Sequence, residues 1–463
     1  MAPPKWVRTV DLICLLLIVV ALIVAMSGGF RQRVGSFRIA VTSPYPILLW
    51  AFAIALVRHF AAPAQPVYRD LPGLLVAAWR RPSVRTAAAA VAGTRPVMLF
   101  VGYLAVVMFG YSTGAEPPTR EFDSDVLNLS VRWDAGWYLG IITQGYSYEA
   151  PHGNKAPEQQ SVAFSPAYPM IVRVLGRLMG GRLTGYVGAG LLVSLCSFLG
   201  ALVYVYLLAR DSLDDDHARF AVWLLAAYPF ALFFGAIYVE ALFLLAIAGA
   251  FYHFTRQEFR RAFLWGLLAG LTKTNGFLLA LPLAIIAAQS YLRRDGYPII
   301  RGLASAAGPG VGMLIFSAFI WRLTGDPLAW LKAHEAWGRT YRGLLPLVGD
   351  RYNWIANTGL IGYVSSLPGD LMNALGVIFV LAAVWPVARR LGLAYAVFIL
   401  VFMLPPLAAG GLISAGRFSS ILFPAFIWTA SVVPARHRPG WIASFAAIQA
   451  FNAALFYTWR PLY

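Results

Sequence analysis

The chain of 463 residues is 59% hydrophobic and only 12% charged, with a formal net charge of +17. Soluble domains carry about 25% charged residues, so the composition excludes a water-soluble globular protein. The positive balance does not imply nucleic acid, because the basic residues cluster in short loops between apolar runs, as the positive-inside rule requires of a multi-pass membrane protein.

Lys5 and Arg8 precede the first apolar run, so the N-terminus is expected inside, followed by an uncleaved helix at about 11–27 and a second at 44–58. Segment 59–96, with Arg69, Arg80, Arg81, Arg85 and Arg95, then falls inside as a basic linker. A helix at about 97–112 crosses out and leaves 113–183 as a long external loop, and a helix at 184–209 returns to the cytoplasmic "RDSLDDDHAR". Spans at about 219–235 and 238–254 bracket the external turn "GAIYVE", with "RQEFRR" (256–261) inside. The run 262–291 would be about 45 Å long as one helix. It is interrupted by "TKTNG" and basic at both ends, which predicts a hairpin of two short helices with Lys273 at its outer tip. The remaining spans, about 302–321, 371–388, 391–408, 417–434 and 440–458, enclose a second external loop at 322–370.

The expected fold class is therefore all-α: a polytopic bundle of about 11–13 membrane segments with two long external loops carrying short helices. Residues 1–96 form an N-terminal extension with two transmembrane helices and the basic linker, and 97–463 form the main transmembrane domain. No internal repeat is present, which argues against a transporter built from inverted repeats. Cys14 and Cys196 each lie inside an apolar run, so no structural disulfide is expected.

Within this frame "VRWDAGWYLG" (131–140) sets Asp134 among Arg132, Trp133, Trp137 and Tyr138 at the external interface. An aspartate there also suits a helix cap, Arg132 suits a lipid headgroup, and the aromatics suit an interfacial belt. Glu240 lies just inside an apolar run and Lys273 at a helix break, where an isolated charge is costly and points to function or a wet cavity. His334, Trp337 and Arg339 sit in the second external loop, and Arg417 opens a span after the flexible "AAGGLISAG". The acidic triplets "DSD" (123–125) and "DDD" (214–216) lack the soluble α/β setting that a nucleotide-sugar metal site requires. No zinc spacing and no phosphate-cradling glycine loop occurs, so no cofactor is expected, and a divalent metal stays open.

The stretch "VRWDAGWYLGIITQGYS" (131–147), followed by "AFSPAYPMIVRVL" (163–175), resembles the PIG-V family of mannosyltransferases. "YPFALFFGAIYVEALFLL" (228–245), "LAGLTKTNGFLL" (268–279), "GDPLAWLKAHEAWGR" (325–339) and "GRFSSILFPAF" (416–426) follow in the family's order. The resemblance covers roughly 97–460. Ser165 stands where a second aromatic is usual, and "GRFSS" where serine–arginine–tyrosine is usual.

The resemblance implies the GT-C architecture and inverting transfer of a sugar, mannose, from a polyprenyl-phosphate carrier on the non-cytoplasmic face. The acceptor would be lipid-, glycan- or protein-linked, in a bacterial plasma membrane or, in a eukaryote, the endoplasmic reticulum. The carboxylate among aromatics at the external interface points to Asp134 as general base, with Glu240 or Glu149 as the fallback. Arg417, Lys273 and Arg339 would hold the donor phosphate, and Arg132, Glu240, His334, Trp133, Trp137 and Tyr138 would line the substrate site. The competing reading is a polytopic transporter or lipid-linked-sugar flippase. That reading places its polar groups at the membrane midplane rather than at the outer helix ends.

Overall fold

The structure is a computed structural model and describes residues 4–27, 29–34, 37–62, 71–112, 121–149, 158–293 and 296–462. Among the described residues eight helices are long and apolar enough to cross a membrane, and three shorter apolar helices, Tyr45–Ala61, Glu240–Thr255 and Phe423–Val432, accompany them. The all-α multi-pass bundle expected from composition is thus present.

It has one addition, an antiparallel hairpin pairing Phe30–Val34 with Phe37–Val41. The sequence there alternates in β fashion around Gly35-Ser36, a short-hairpin signal that a reading confined to helical periodicity passes over. The flanking helices Lys5–Ser27 and Tyr45–Ala61 pack together, and Arg58 Nε lies 2.9 Å from Asp11 Oδ1 between them. This unit docks on the amphipathic helix Ala167–Leu178, where the Tyr45 hydroxyl donates to the Arg177 carbonyl at 2.7 Å.

The basic linker expected over 59–96 is corrected in its second half. One 28-residue helix, Pro82–Phe109, runs across the boundary expected at 96/97 with Pro96 inside it. Arg95 is not a solvated loop residue: it is 4% exposed and donates to the carbonyls of Ala231 and Ala226 and to Gln449 Oε1. These bonds satisfy a broken segment that lacks its own ladder. The span expected at 219–235 is also corrected, since the helix Asp215–Ala227 stops ahead of Pro229 and a short 3-10 turn, Ala231–Gly235, follows. A proline disfavours helical geometry in the residue before it. The span expected at 417–434 likewise divides, into Ala415–Ser419 and Phe423–Val432.

The buried centre is the pair Leu183–Arg210 and Glu240–Thr255. Small residues let these helices approach their neighbours, as membrane interfaces require: a Cβ on Gly200 would sit 3.1 Å from Leu245, and one on Gly249 2.8 Å from Trp265. The expected break at "TKTNG" separates the helices Phe259–Thr272 and Ala280–Arg293 and leaves Lys273 in extended conformation between them. The first long loop, expected on the external side, carries Ala135–Gln144 and Ala167–Leu178. The second carries Ala329–Ala333, a 3-10 turn at His334–Trp337, and Leu345–Ser366, kinked at Gly359.

Candidate active site at a cluster of helix ends

Asp134 is the N-cap of the helix Ala135–Gln144, yet its side chain makes no capping bond. The carboxylate instead accepts from Arg417 Nη1 at 2.6 Å, across 283 residues of sequence. The backbone aims it there. Trp133 adopts φ +54°, a left-handed conformation rare for a bulky residue, and the Asp134 N–H donates to the Tyr238 hydroxyl at 3.1 Å. That hydroxyl in turn donates to the Arg132 carbonyl at 3.2 Å.

Arg417 sits on the five-residue helix Ala415–Ser419, entered through Ser414 at φ +59°. Gly416 fixes its position, because a Cβ there would lie 2.1 Å from the Phe230 ring. Arg417 Nε is 3.3 Å from Glu240 Oε1, and the same oxygen accepts from Lys273 Nζ at 3.1 Å. Two carboxylates and two cations thus form one chain: Asp134, Arg417, Glu240, Lys273. Glu240 is 1% exposed and its second oxygen has no hydrogen-bond partner among the described residues. An orphaned carboxylate oxygen this deep signals a site built for something besides stability.

Arg339 joins from the second long loop. Its guanidinium lies 5.0 Å from the Phe418 ring centre, and Lys273 Nζ lies 4.5 Å from the same ring. Burial and the neighbouring Arg417 push the Arg339 pKa down to about 10, which leaves it charged at neutral pH. His334 Nδ1 is 2.7 Å from the Trp330 carbonyl. A carbonyl only accepts, so Nδ1 carries the proton and Nε2 is left as an acceptor in the neutral ring. Burial and Arg339 hold its pKa below the ordinary 6.5.

The aromatics divide. Trp137 stacks on Phe164 at 5.9 Å, and both meet Trp337 edge-on at 5.7 and 5.6 Å, beside His334. Tyr138 is buried against Phe164, Tyr168 and Tyr238. Trp133 turns the other way, packs on Trp459 and donates Nε1–H to the Phe456 carbonyl at 3.1 Å. With Asp134, Tyr238, Arg417, Ser414 and Asn373 it lines a cleft.

Arg132 is not brought to this cluster. It is 1% exposed, and its guanidinium donates to the carbonyls of Tyr457, Asn128 and Val131 and to the Tyr111 hydroxyl. Glu149 is exposed, with its backbone paired to Gln160, and stays outside as well. Asp214 of the "DDD" triplet caps a helix by accepting from the His217 N–H at 2.9 Å. Among the described residues no three His, Cys, Asp or Glu side chains converge in a way that could hold a metal.

Sequence reasoning missed Tyr238, Phe418, Asn373 and Ser414. Tyr238 and Phe418 adjoin residues it singled out, two before Glu240 and one after Arg417. Asn373, which ties the Gly416 N–H at 2.7 Å to the Leu462 carbonyl at 2.6 Å, carries no sequence signal.

Comparison with known proteins adds three findings. No curated protein matches the chain significantly. Solved structures of the Archaeoglobus fulgidus oligosaccharyltransferase, among them complexes with zinc and sulfate and with an inhibitory peptide and a dolichol-phosphate, align at 11–13% identity with TM-scores of 0.33–0.36. The alignments cover 79–81% of this chain and 53–56% of theirs, so the chain spans about half the length of those proteins. The third finding bears on four of the six quoted segments, those from 131 to 279. They fall within residues 119–294, which match the sequence model of a family described as mannosyltransferase (PIG-V). The chain is therefore a multi-pass membrane protein that carries, over those residues, the sequence pattern of the PIG-V mannosyltransferases.

Proposed function

We propose that the protein is an inverting membrane glycosyltransferase of GT-C type. It takes a sugar, mannose by the family match, from a polyprenyl-phosphate carrier on the non-cytoplasmic face. The observation that carries the reading is the charge count of the cluster. Arg417, Lys273 and Arg339 oppose Asp134 and Glu240, which leaves one positive charge in a mostly buried site. A sugar phosphodiester bears one negative charge, and an uncompensated buried cation is costly. The surplus therefore matches the donor.

In the proposed reaction an acceptor hydroxyl attacks the sugar C1. The C1–O bond to phosphate breaks with its electron pair leaving on the polyprenyl phosphate, and the hydroxyl proton passes to Asp134. Cations fixed where phosphate charge grows lower that barrier. General-base help contributes roughly 10²–10⁴-fold. The stacked Trp137, Phe164 and Trp337 offer ring faces for a sugar beside the cations. The acceptor, whether glycolipid, glycan or protein, would reach Asp134 through the cleft that Trp133 lines.

Glu240 is the first residue of its helix, Lys273 follows the end of another, and Arg417 rides a five-residue segment, so the cluster gathers at helix ends, which supports a site at the membrane interface.

The test incubates membranes containing the protein with radiolabelled polyprenyl-phosphate-mannose and identifies the product class that gains label. Asp134→Asn keeps the shape and accepts a bond from Arg417 but takes no proton, so donor binding persists while transfer is abolished. Transfer by that variant at a near-normal rate refutes Asp134 as base.

A further inference from the structure

The helix Glu240–Thr255 begins in the charged cluster and, at 16 residues, ends about 24 Å away. At that far end the bundle opens again. A cavity open on one side lies between the end of Ala280–Arg293 and the start of Leu393–Gly410, with Thr255 on its wall.

Its lining is polar in a way the packing does not use. Among the described residues the Gln289 amide, the Ser290 hydroxyl, the Arg293 guanidinium and the Tyr395 hydroxyl have no hydrogen-bond or ion-pair partner, and all four face this one cavity. Gln289, Ser290 and Tyr395 are half-buried and Arg293 is exposed, so their polar groups stay open to a ligand that enters the cavity. The first amides of the helix Leu393–Gly410 open beside them and add donors. Arg389 and Arg390 end the preceding helix. Arg256 stands nearby with its charge already met by Asp211 at 2.7 Å. The unpaired charge at the cavity is therefore positive.

We propose that this cavity binds the headgroup of an anionic phospholipid, in the leaflet opposite the active site. A free phosphate would satisfy the donors equally well, but the rim favours a lipid. Leu292 is 81% exposed and Trp385 71%, and Leu393 and Tyr291 also present their side chains outward. Tyr291, Leu292 and Leu393 are neighbours in sequence of the lining residues Ser290, Arg293, Gly392 and Ala394, so acyl chains would meet apolar side chains beside the headgroup. Basic pockets at the cytoplasmic ends of transmembrane helices have the chemistry for this task. The cavity shares a helix with Glu240, so an occupied headgroup site steadies the far end of the element that holds the cluster.

The experiment uses the full-length chain in mild detergent and counts retained lipid by native mass spectrometry. Phosphatidylglycerol is titrated against phosphatidylcholine, with and without inorganic phosphate. The wild type should retain phosphatidylglycerol in preference, and Arg293→Ala should lower that retention by roughly fivefold, the worth of one arginine near an anionic headgroup. Gln289→Leu, which keeps the charge and removes the amide, should lower it as well. Equal retention of the two lipids by the wild type overturns the proposal, as does unchanged retention in both variants. Displacement of the lipid by inorganic phosphate assigns the cavity to a free anion and also overturns it.

Discussion

Glu240→Gln isolates the electrostatics of the cluster from its chemistry. The wild-type carboxylate lies 3.1 Å from Lys273 Nζ and 3.3 Å from Arg417 Nε. At an effective dielectric constant of about 20 each contact corresponds to a gross attraction of roughly 5 kcal/mol. Much of this offsets desolvation, and removing one partner of a buried pair costs about 3–5 kcal/mol net. The glutamine is isosteric, so that cost is the stranded charge of Lys273 rather than a cavity. Lys273→Met in the same chain removes the stranded charge and should recover roughly 1–3 kcal/mol, a coupling typical of residues in one network. The assay is thermal unfolding of the detergent-purified protein for the wild type, both single variants and the double variant. Sulfate, a stand-in for the donor phosphate, should raise the melting temperature of Glu240→Gln more than that of the wild type, because the variant leaves a further cation unpaired. Strictly additive shifts, with the double variant melting below both singles, would refute the ion-pair reasoning.

Arg417→Ala should lower turnover by roughly 10²-fold or more, read as kcat with the label-transfer assay on folded protein. Arg417→Lys should restore little of it, since one ammonium cannot present the planar fork that spans Asp134 and Glu240. Gly416→Ala should cost about 1–3 kcal/mol of stability through the Phe230 clash, with a loss of turnover in the surviving fold because Arg417 moves with it. His334 has a folded pKa below its unfolded 6.5, so its neutral form is favoured by folding. Its contribution is present above 6.5 and is lost as pH falls from there through the folded value. His334→Gln should flatten that acid limb in melting experiments between pH 7 and pH 5.

The sequence made some of this visible and hid the rest for physical reasons. The charged residues stood out because lipid-embedded charge is costly, so Asp134, Glu240, Lys273 and Arg417 each signalled themselves in isolation. What could not be read was which of them meet. Asp134 and Arg132 are two apart in sequence, yet the left-handed turn at Trp133 sends their side chains to different networks. Asp134 and Arg417 are 283 apart and touch. Helix type was legible wherever an apolar run was long. The run at 219–235 misled because Pro229 breaks a stretch that hydropathy alone joins. Arg95 misled because a charge counted as loop solvation serves instead to tie the carbonyls of that broken stretch.

On the proposed mechanism Arg417 has a use that a simple phosphate clamp would not give it. At rest it donates Nη1 to Asp134 and turns Nε toward Glu240. A cation so placed favours the ionised carboxylate and weakens its appetite for a proton. As the C1–O bond breaks, the departing phosphate gains a second negative charge and competes for the same guanidinium. The hold on Asp134 loosens as that charge develops, and the carboxylate becomes a better base when the acceptor hydroxyl becomes most acidic. Glu240 keeps Arg417 from following the phosphate outright, because its buried oxygen binds Arg417 and Lys273 together. A carboxylate that touches neither substrate would thereby set the timing of the proton transfer, and the orphaned second oxygen of Glu240 fits a group kept for charge rather than for packing.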